Sequence, residues 1–172
     1  METDWQPSLT GKRLELRPLR ADDLEPLFAV AADPLIWEQH PDKTRCTREG
    51  FEKFFKAGLE SKGALAVVDR ATGELIGSSR FADHRSQAGS VEIGYTFLAR
   101  KHWGTGTNAE LKRLMLAYAF EHVKTVYFVI SPENFRSRKA VERLGASQVP
   151  EDEAKALVYD KRCSVVYRLT KP

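Results

Sequence analysis

Hydrophobic and polar positions alternate with a period of two from Arg13 to Leu19, where Leu14 and Leu16 are interleaved with Arg13, Glu15 and Arg17. That period predicts a half-buried strand, ended by Pro18. Asp22 or Asp23 can then cap a helix whose buried stripe is Leu24, Leu27, Phe28 and Ala31, and Asp33-Pro34 closes it. Leu35 to Cys46 has no clear period and reads as a loop. Thr47 opens a second helix with Phe51, Phe54, Phe55 and Leu59 inward, and Gly63 is expected to stop it. Ala64–Asp69 and Leu75–Phe81 flank a turn tipped by Gly73, which predicts a β-hairpin. Ala82 to Gly89 reads as a polar turn.

The next thirty residues, Val91 to Phe120, carry the strongest pattern in the chain. Val91, Ile93, Tyr95, Thr96 and Phe97 predict a strand with little exposure. Leu111, Leu114, Met115, Tyr118 and Ala119 recur at the three-and-four spacing of one helix face. Val123 to Ile130 is an almost unbroken β-branched and aromatic run, expected of a strand covered on both faces. Asn134 to Leu144 predicts a helix with Val141 and Leu144 inward and Gly145 as its left-handed cap. A last strand is expected from Cys163 to Leu169, entered through Lys161 and Arg162. Strands before and after internal helices make this an α/β protein with a mixed central sheet, in which the strands at Val91 and Val126 run parallel across a helical crossover.

Length and composition narrow the classes. A chain of 172 residues, 42% hydrophobic and 30% charged, fits one soluble globular domain that buries about two-thirds of its unfolded surface. A net charge of +3 gives no reason to expect nucleic acid. Cys46 and Cys163 stand far apart without paired spacing, so neither a disulfide framework nor a metal site is expected. With no long apolar run and no basic-then-apolar leader, a cytoplasmic location is the expectation.

Candidate chemistry centres on Trp103-Gly104-Thr105-Gly106-Thr107-Asn108, between the strand and the long helix. Glycines there let the backbone turn tightly and direct N–H groups outward at a helix start, where unpaired donors and the helix dipole favour an anion. No Lys follows in the P-loop position, and Ala109 stands where a dinucleotide fingerprint needs its third glycine. Ligands of such sheets lie at the carboxyl ends of the strands.

The run EIGYTFL, the turn WGTGTN and the segment Ser131-Pro-Glu-Asn-Phe-Arg-Ser-Arg-Lys-Ala-Val-Glu-Arg-Leu-Gly145 occur in this order. Together they resemble the GNAT superfamily of N-acetyltransferases, in its branch of ribosomal-protein N-terminal acetyltransferases, over nearly the whole chain. The resemblance implies a GNAT-like three-layer fold, with helices on both faces of a twisted mixed sheet and a single domain over 1–172 (core about 9–171). It implies an acyltransferase that takes acetyl-CoA and an amine acceptor, without a metal, with a homodimer as a reasonable default. The acyl-CoA cleft would open between splayed parallel strands. Tyr95, Thr96, Phe97 and Leu98 would face pantetheine. Trp103, Gly104, Thr105, Gly106, Thr107 and Asn108 would hold the pyrophosphate, and Asn134, Ser137 and Lys139 would contact the cofactor. Glu92 resembles the general base and Ser137 the serine near the thioester sulfur; Trp37, His40, Phe81 and His84 would line the acceptor side. Trp103 and Asn108 depart from the family pattern, Asn108 as a candidate helix cap, and Val141 occupies the position of the family's tyrosine acid. A non-catalytic acyl-CoA sensor is the competing expectation.

Overall fold

The computed structural model describes residues 1–157 and 164–172. Among them, eight strands form one sheet in the order β1-β2-β3-β4-β5-β6-β8-β7. In chain order these are β1 (Leu9–Thr10), β2 (Leu14–Pro18), β3 (Ala64–Asp69), β4 (Leu75–Arg85), β5 (Ser90–Leu98), β6 (Thr125–Ile130), β7 (Ser147–Gln148) and β8 (Val165–Thr170). Every neighbouring pair is antiparallel except β5 and β6. The helices are α1 (Leu24–Ala31), α2 (Arg48–Ser61), α3 (Thr107–His122), α4 (Phe135–Arg143) and α5 (Glu151–Leu157).

Alternation along the strands sends side chains into two cores. Leu65 and Val67 join Leu111, Met115 and Ala119 of α3 and Val141 of α4 on one face. Ala64 and Ala66 join Leu27 and Ala31 of α1 and Phe51 and Phe55 of α2 on the other. A smaller cluster of Val149, Ala154 and Val166 lies under α5. Among the described residues no helix is long and apolar enough to cross a membrane.

Several elements differ from the sequence reading. β4 runs on to Arg85, because Ala82 pairs with Glu92 and Arg85 with Ser90 across a register shift; the polar Asp83, at φ 46°, marks an irregularity inside the strand. Helix α2 ends in Lys62, itself left-handed at φ 57°. Gly63 serves close approach instead, since a Cβ there would sit 2.0 Å from the Phe81 carbonyl oxygen. The two faces of β6 are covered unequally: Val126, Phe128 and Ile130 are buried, while Tyr127 and Val129 are half-buried against the small cluster under α5. Trp37 and Cys46 belong to two short 3-10 turns, Pro34–Trp37 and Lys43–Cys46. Strands β1 and β7 and helix α5 carry too few apolar positions for periodicity to find them. The expected approach to the last strand through Lys161, Arg162 and Cys163 lies outside the described residues.

Asp23 does not cap α1 with its side chain. It takes a two-pronged contact from Arg17, at 2.8 and 2.9 Å, and accepts the Arg20 backbone N–H at 2.8 Å. The Asp23 carboxylate raises the Arg17 pKa above its ordinary value through that hydrogen bond. Breaking a buried pair from one side strands the other charge. Asp23→Ala is therefore expected to cost about 3 kcal/mol of unfolding free energy, measured by urea denaturation.

Candidate functional site

A fork in the sheet creates the site. β5 and β6 are in register at Ser90 with Thr125, Val91 with Val126 and Glu92 with Tyr127, and no further. β5 meanwhile stays paired with β4 as far as Leu98. Arg80 faces Gly94 and Ser78 faces Phe97, so Tyr95 and Thr96 together oppose the single residue Ser79. Such a bulge bends the strand that carries the extra residue, which here turns β5 away from β6 beyond Glu92. Tyr95 absorbs the turn in the left-handed region at φ 56°, a conformation costing a side-chain-bearing residue roughly 1–2 kcal/mol. Contacts on both faces hold it. The Arg80 guanidinium lies 4.0 Å over the Tyr95 ring, and on the opposite face Thr96 Oγ1 meets Ser79 Oγ at 2.8 Å and accepts from Lys112 Nζ at 2.5 Å.

The residues expected at the fork are thereby sorted. Glu92 stands half-buried on the last rung, and Tyr95 and Thr96 are half-buried just beyond it. The side chains of Phe97 and Leu98 are instead core, in the clusters on opposite faces of the sheet, which leaves only their backbone to meet a ligand.

Beyond β5, Gly104 at φ 69° and Gly106 at φ 84° turn the chain into α3. Gly106 occupies the cap position without any side-chain cap. Asn108 lies inside the helix and does not cap it. The first-turn N–H groups of Thr107, Asn108 and Ala109 thus have no acceptor among the described residues, the arrangement that attracts an anion. Just before β2, Arg13 donates to the Thr105 carbonyl at 3.0 Å. Glu110 accepts the Arg13 and Leu14 N–H groups at 3.0 and 2.8 Å. Beside the turn an open, basic cleft of about 610 Å³ is bounded by Lys12, Arg13, Arg70, His102, Thr105 and Thr107. Trp103 points inward, donating Nε1–H to the Leu98 carbonyl at 3.1 Å. Arg136 of α4 stacks on its ring at 3.8 Å and so joins the turn to α4.

At the start of α4, Asn134 caps the helix by accepting the Ser137 N–H at 3.4 Å. Ser137 is half-buried, Lys139 is exposed and Val141 is buried. Three cations near the turn and α4 have protein partners: Arg100 pairs with Asp33, Lys101 with Glu74, and Arg138 with the Pro132 carbonyl and Tyr167. Of the expected acceptor-side residues, Trp37 and Phe81 are core side chains at 3% and 2% exposure, and Trp37 donates to the Ala31 carbonyl. His40 packs edge-on against Trp37 and accepts the Asp42 N–H. His84 stacks on Trp5. Trp37 meets β5 at Phe97, ring centroids 5.5 Å apart, and Phe81 through its strand pairing with Ile93.

Two buried cations escape a periodicity reading. Lys112 sits in α3 at 5% exposure, and burial pushes its ammonium down to about 7. Arg80 sits in β4 at 8% exposure. The available signal is a cation inside an apolar stripe: Lys112 falls four and seven residues before the buried Leu116 and Ala119.

A sheet that parts at a bulge next to an uncapped glycine turn offers a gap for an extended ligand with an anion-attracting helix start beside it. Residues 13–147 match the model of the acetyltransferase (GNAT) domain, and the chain belongs to that family of acyltransferases. Solved structures agree in fold. A GCN5-related N-acetyltransferase from Brucella melitensis is 21% identical with a TM-score of 0.77, covering 95% of this chain and 77% of that one. An acetyltransferase from Agrobacterium tumefaciens is 25% identical with a TM-score of 0.76, covering 96% and 95%. Mycobacterium smegmatis RimJ, in complex with CoA-disulfide, is 18% identical with a TM-score of 0.73, covering 99% and 90%. Among the described residues no cluster of His, Cys, Asp and Glu could hold a metal ion.

Lys112 links the bulge to stability. The unfolded chain keeps this proton to about pH 10.4, whereas the folded chain releases it near 7. Unfolding free energy should therefore rise with pH across that window, as the cost of burying the charge disappears. Lys112→Met is expected to flatten that rise and to add more than about 1 kcal/mol at neutral pH, measured by urea melts across the pH series.

Proposed function

We propose that this chain, as one N-acetyltransferase domain, moves an acetyl group from acetyl-CoA to a primary amine by direct attack of the amine on the thioester. The observation that carries the reading is the position of Glu92, on the last paired rung of the fork. There its carboxylate can take the proton of an incoming ammonium, directly or through water. The neutral nitrogen then bonds to the acetyl carbon, the thioester C–S bond breaks, coenzyme A leaves as a thiolate, and the nitrogen's second proton is the one that ends on that sulfur. Backbone N–H groups around the Tyr95–Thr96 bulge are the candidates to face the developing oxyanion. Ser137, whose backbone is fixed by Asn134, is the candidate to return a proton to the leaving sulfur. Gly104 to Asn108 take the diphosphate, helped by the basic cleft beside them.

Energetics favour an acidic amine as acceptor. An α-amine costs about 1 kcal/mol to deprotonate at pH 7, and a lysine about 4.6. A protein N-terminus or a small-molecule amine of similar acidity thus asks less of one carboxylate. The half-buried Cys46 is a free thiol, which suits the cytoplasm. One observation favours the alternative of a non-catalytic acyl-CoA sensor: Val141, and not a tyrosine, follows Asn134 at the acid position.

Isothermal titration with acetyl-CoA is expected to give micromolar binding, and thiol release with an amine panel then separates enzyme from sensor. Glu92→Gln should slow turnover about 100-fold at neutral pH and progressively less toward about pH 9, where free amine is abundant. A parallel pH profile for the variant would remove Glu92 from the chemistry.

A further inference from the structure

The protein handles two arginines of the sheet in opposite ways. Arg17 is neutralised by the carboxylate of Asp23. Arg80, 8% exposed, has a buried Nε with no hydrogen-bond partner. Its contacts are aromatic faces, Tyr95 at 4.0 Å and Phe54 at 5.4 Å. Burial is the largest influence on it and lowers its pKa, with Tyr95 and Glu92 acting in the opposite direction. A guanidinium stays charged at any physiological pH, and a buried charge without a counter-charge is costly. Its Nε–H has no acceptor among the described residues.

The surroundings say what fits. Arg80 borders a narrow pocket of about 10 Å³ whose other walls are mostly apolar, Leu19, Phe51, Phe54 and Phe55 among them, with Ser78 and Tyr95 beside it. A Cβ on Gly58 would lie 3.3 Å from Arg80 Nη2, so the glycine keeps that end clear. Arg45 adds a second cation over the same Phe54 ring at 4.5 Å, balanced in part by Asp42 at 3.4 Å. Glu92 leans toward this region, its Oε1 lying 3.2 Å from where a Gly94 side chain would begin, and Gly94 is the strand partner of Arg80. One face of the fork therefore presents a carboxylate and, next to it, an unpaired guanidinium.

We infer that Arg80 anchors a carboxylate on the acceptor, so that the amines this site takes are those bearing a carboxylate, with the amine toward Glu92 and the acid on Arg80. The inference rests on the transferase reading above. Planar, two-pronged pairing of guanidinium with carboxylate supplies both the missing acceptors and the counter-charge. The same chemistry is offered by a free amino acid and by a protein N-terminus with an acidic residue beside it.

The test is the ratio of kcat/KM for thiol release between each acid and its amide. One pair is glycine and glycinamide; the other is Ala-Asp-Ala-amide and Ala-Asn-Ala-amide. Relative to Arg80→Met, the wild type should favour the acid of at least one pair by about tenfold or more, and the pair that responds identifies the source. Arg80→Lys should keep part of the preference because the charge remains. Arg80→Met should melt close to wild type, since loss of the ring contact with Tyr95 is offset by removal of a buried cation. Equal ratios in wild type and Arg80→Met would overturn the inference while leaving the transferase intact. If acetyl-CoA binds but no acceptor releases thiol, the transferase reading fails, and the carboxylate site is then read by thermal shift with the same four compounds. A shift by an acid, absent with its amide and lost in Arg80→Met, supports the anchor; no such difference overturns it.

Discussion

The left-handed backbone of Tyr95 is the constraint on which the site depends. Two residues of β5 placed against one of β4 force a bend that the parallel ladder with β6 cannot follow. The strain is local, and it is held by groups from three directions: Arg80 above the ring, Ser79 across the strand, and Lys112 from α3 below. Without the bend, β5 and β6 would go on exchanging hydrogen bonds past Glu92, and no gap would exist for a thioester.

Three cations carry most of the electrostatic design. Arg17 is paired and serves the entry into α1. Lys112 is buried against a hydroxyl and sheds its charge near neutrality. Arg80 can do neither, because a guanidinium does not titrate in this range and no described carboxylate reaches it. The same burial thus gives a neutral amine in one place and an unmet demand for an anion in another.

Much of the architecture was legible because it rests on periodicity. The alternation from Arg13 to Arg17 and the helical stripe of Leu111, Met115 and Ala119 correspond to β2 and α3. The glycine turn was legible because Gly104 and Gly106 do adopt positive φ. The reading went astray where tertiary contacts overrule local pattern. Asp83 looked like turn chemistry but lies at an irregularity that β4 continues past. Asn108 looked like a cap, yet the helix starts one residue earlier, on Thr107. Trp37, expected in a loop, lies in a short 3-10 turn, and its side chain, like that of Phe81 at the end of the expected hairpin strand, is core, since neighbouring helices and Trp5 cover them. The bulge itself could not be read, because it is a register between two strands and leaves no trace in either strand alone. Arg80 and Lys112 were missed because a charged side chain is ordinarily placed on the surface, although Lys112 stands in line with the buried Leu116 and Ala119.

With just three registered pairs between β5 and β6, the sheet is mechanically two wings, five strands on one side and three on the other, sewn by a short seam. Helix α3 is the cross-brace, since Leu111, Met115 and Ala119 share one apolar cluster with side chains from both wings. The stacked Arg136 and Trp103 add a clasp on the open side. Rigidity across the gap therefore comes from packing beneath the sheet and not from the sheet's own ladder.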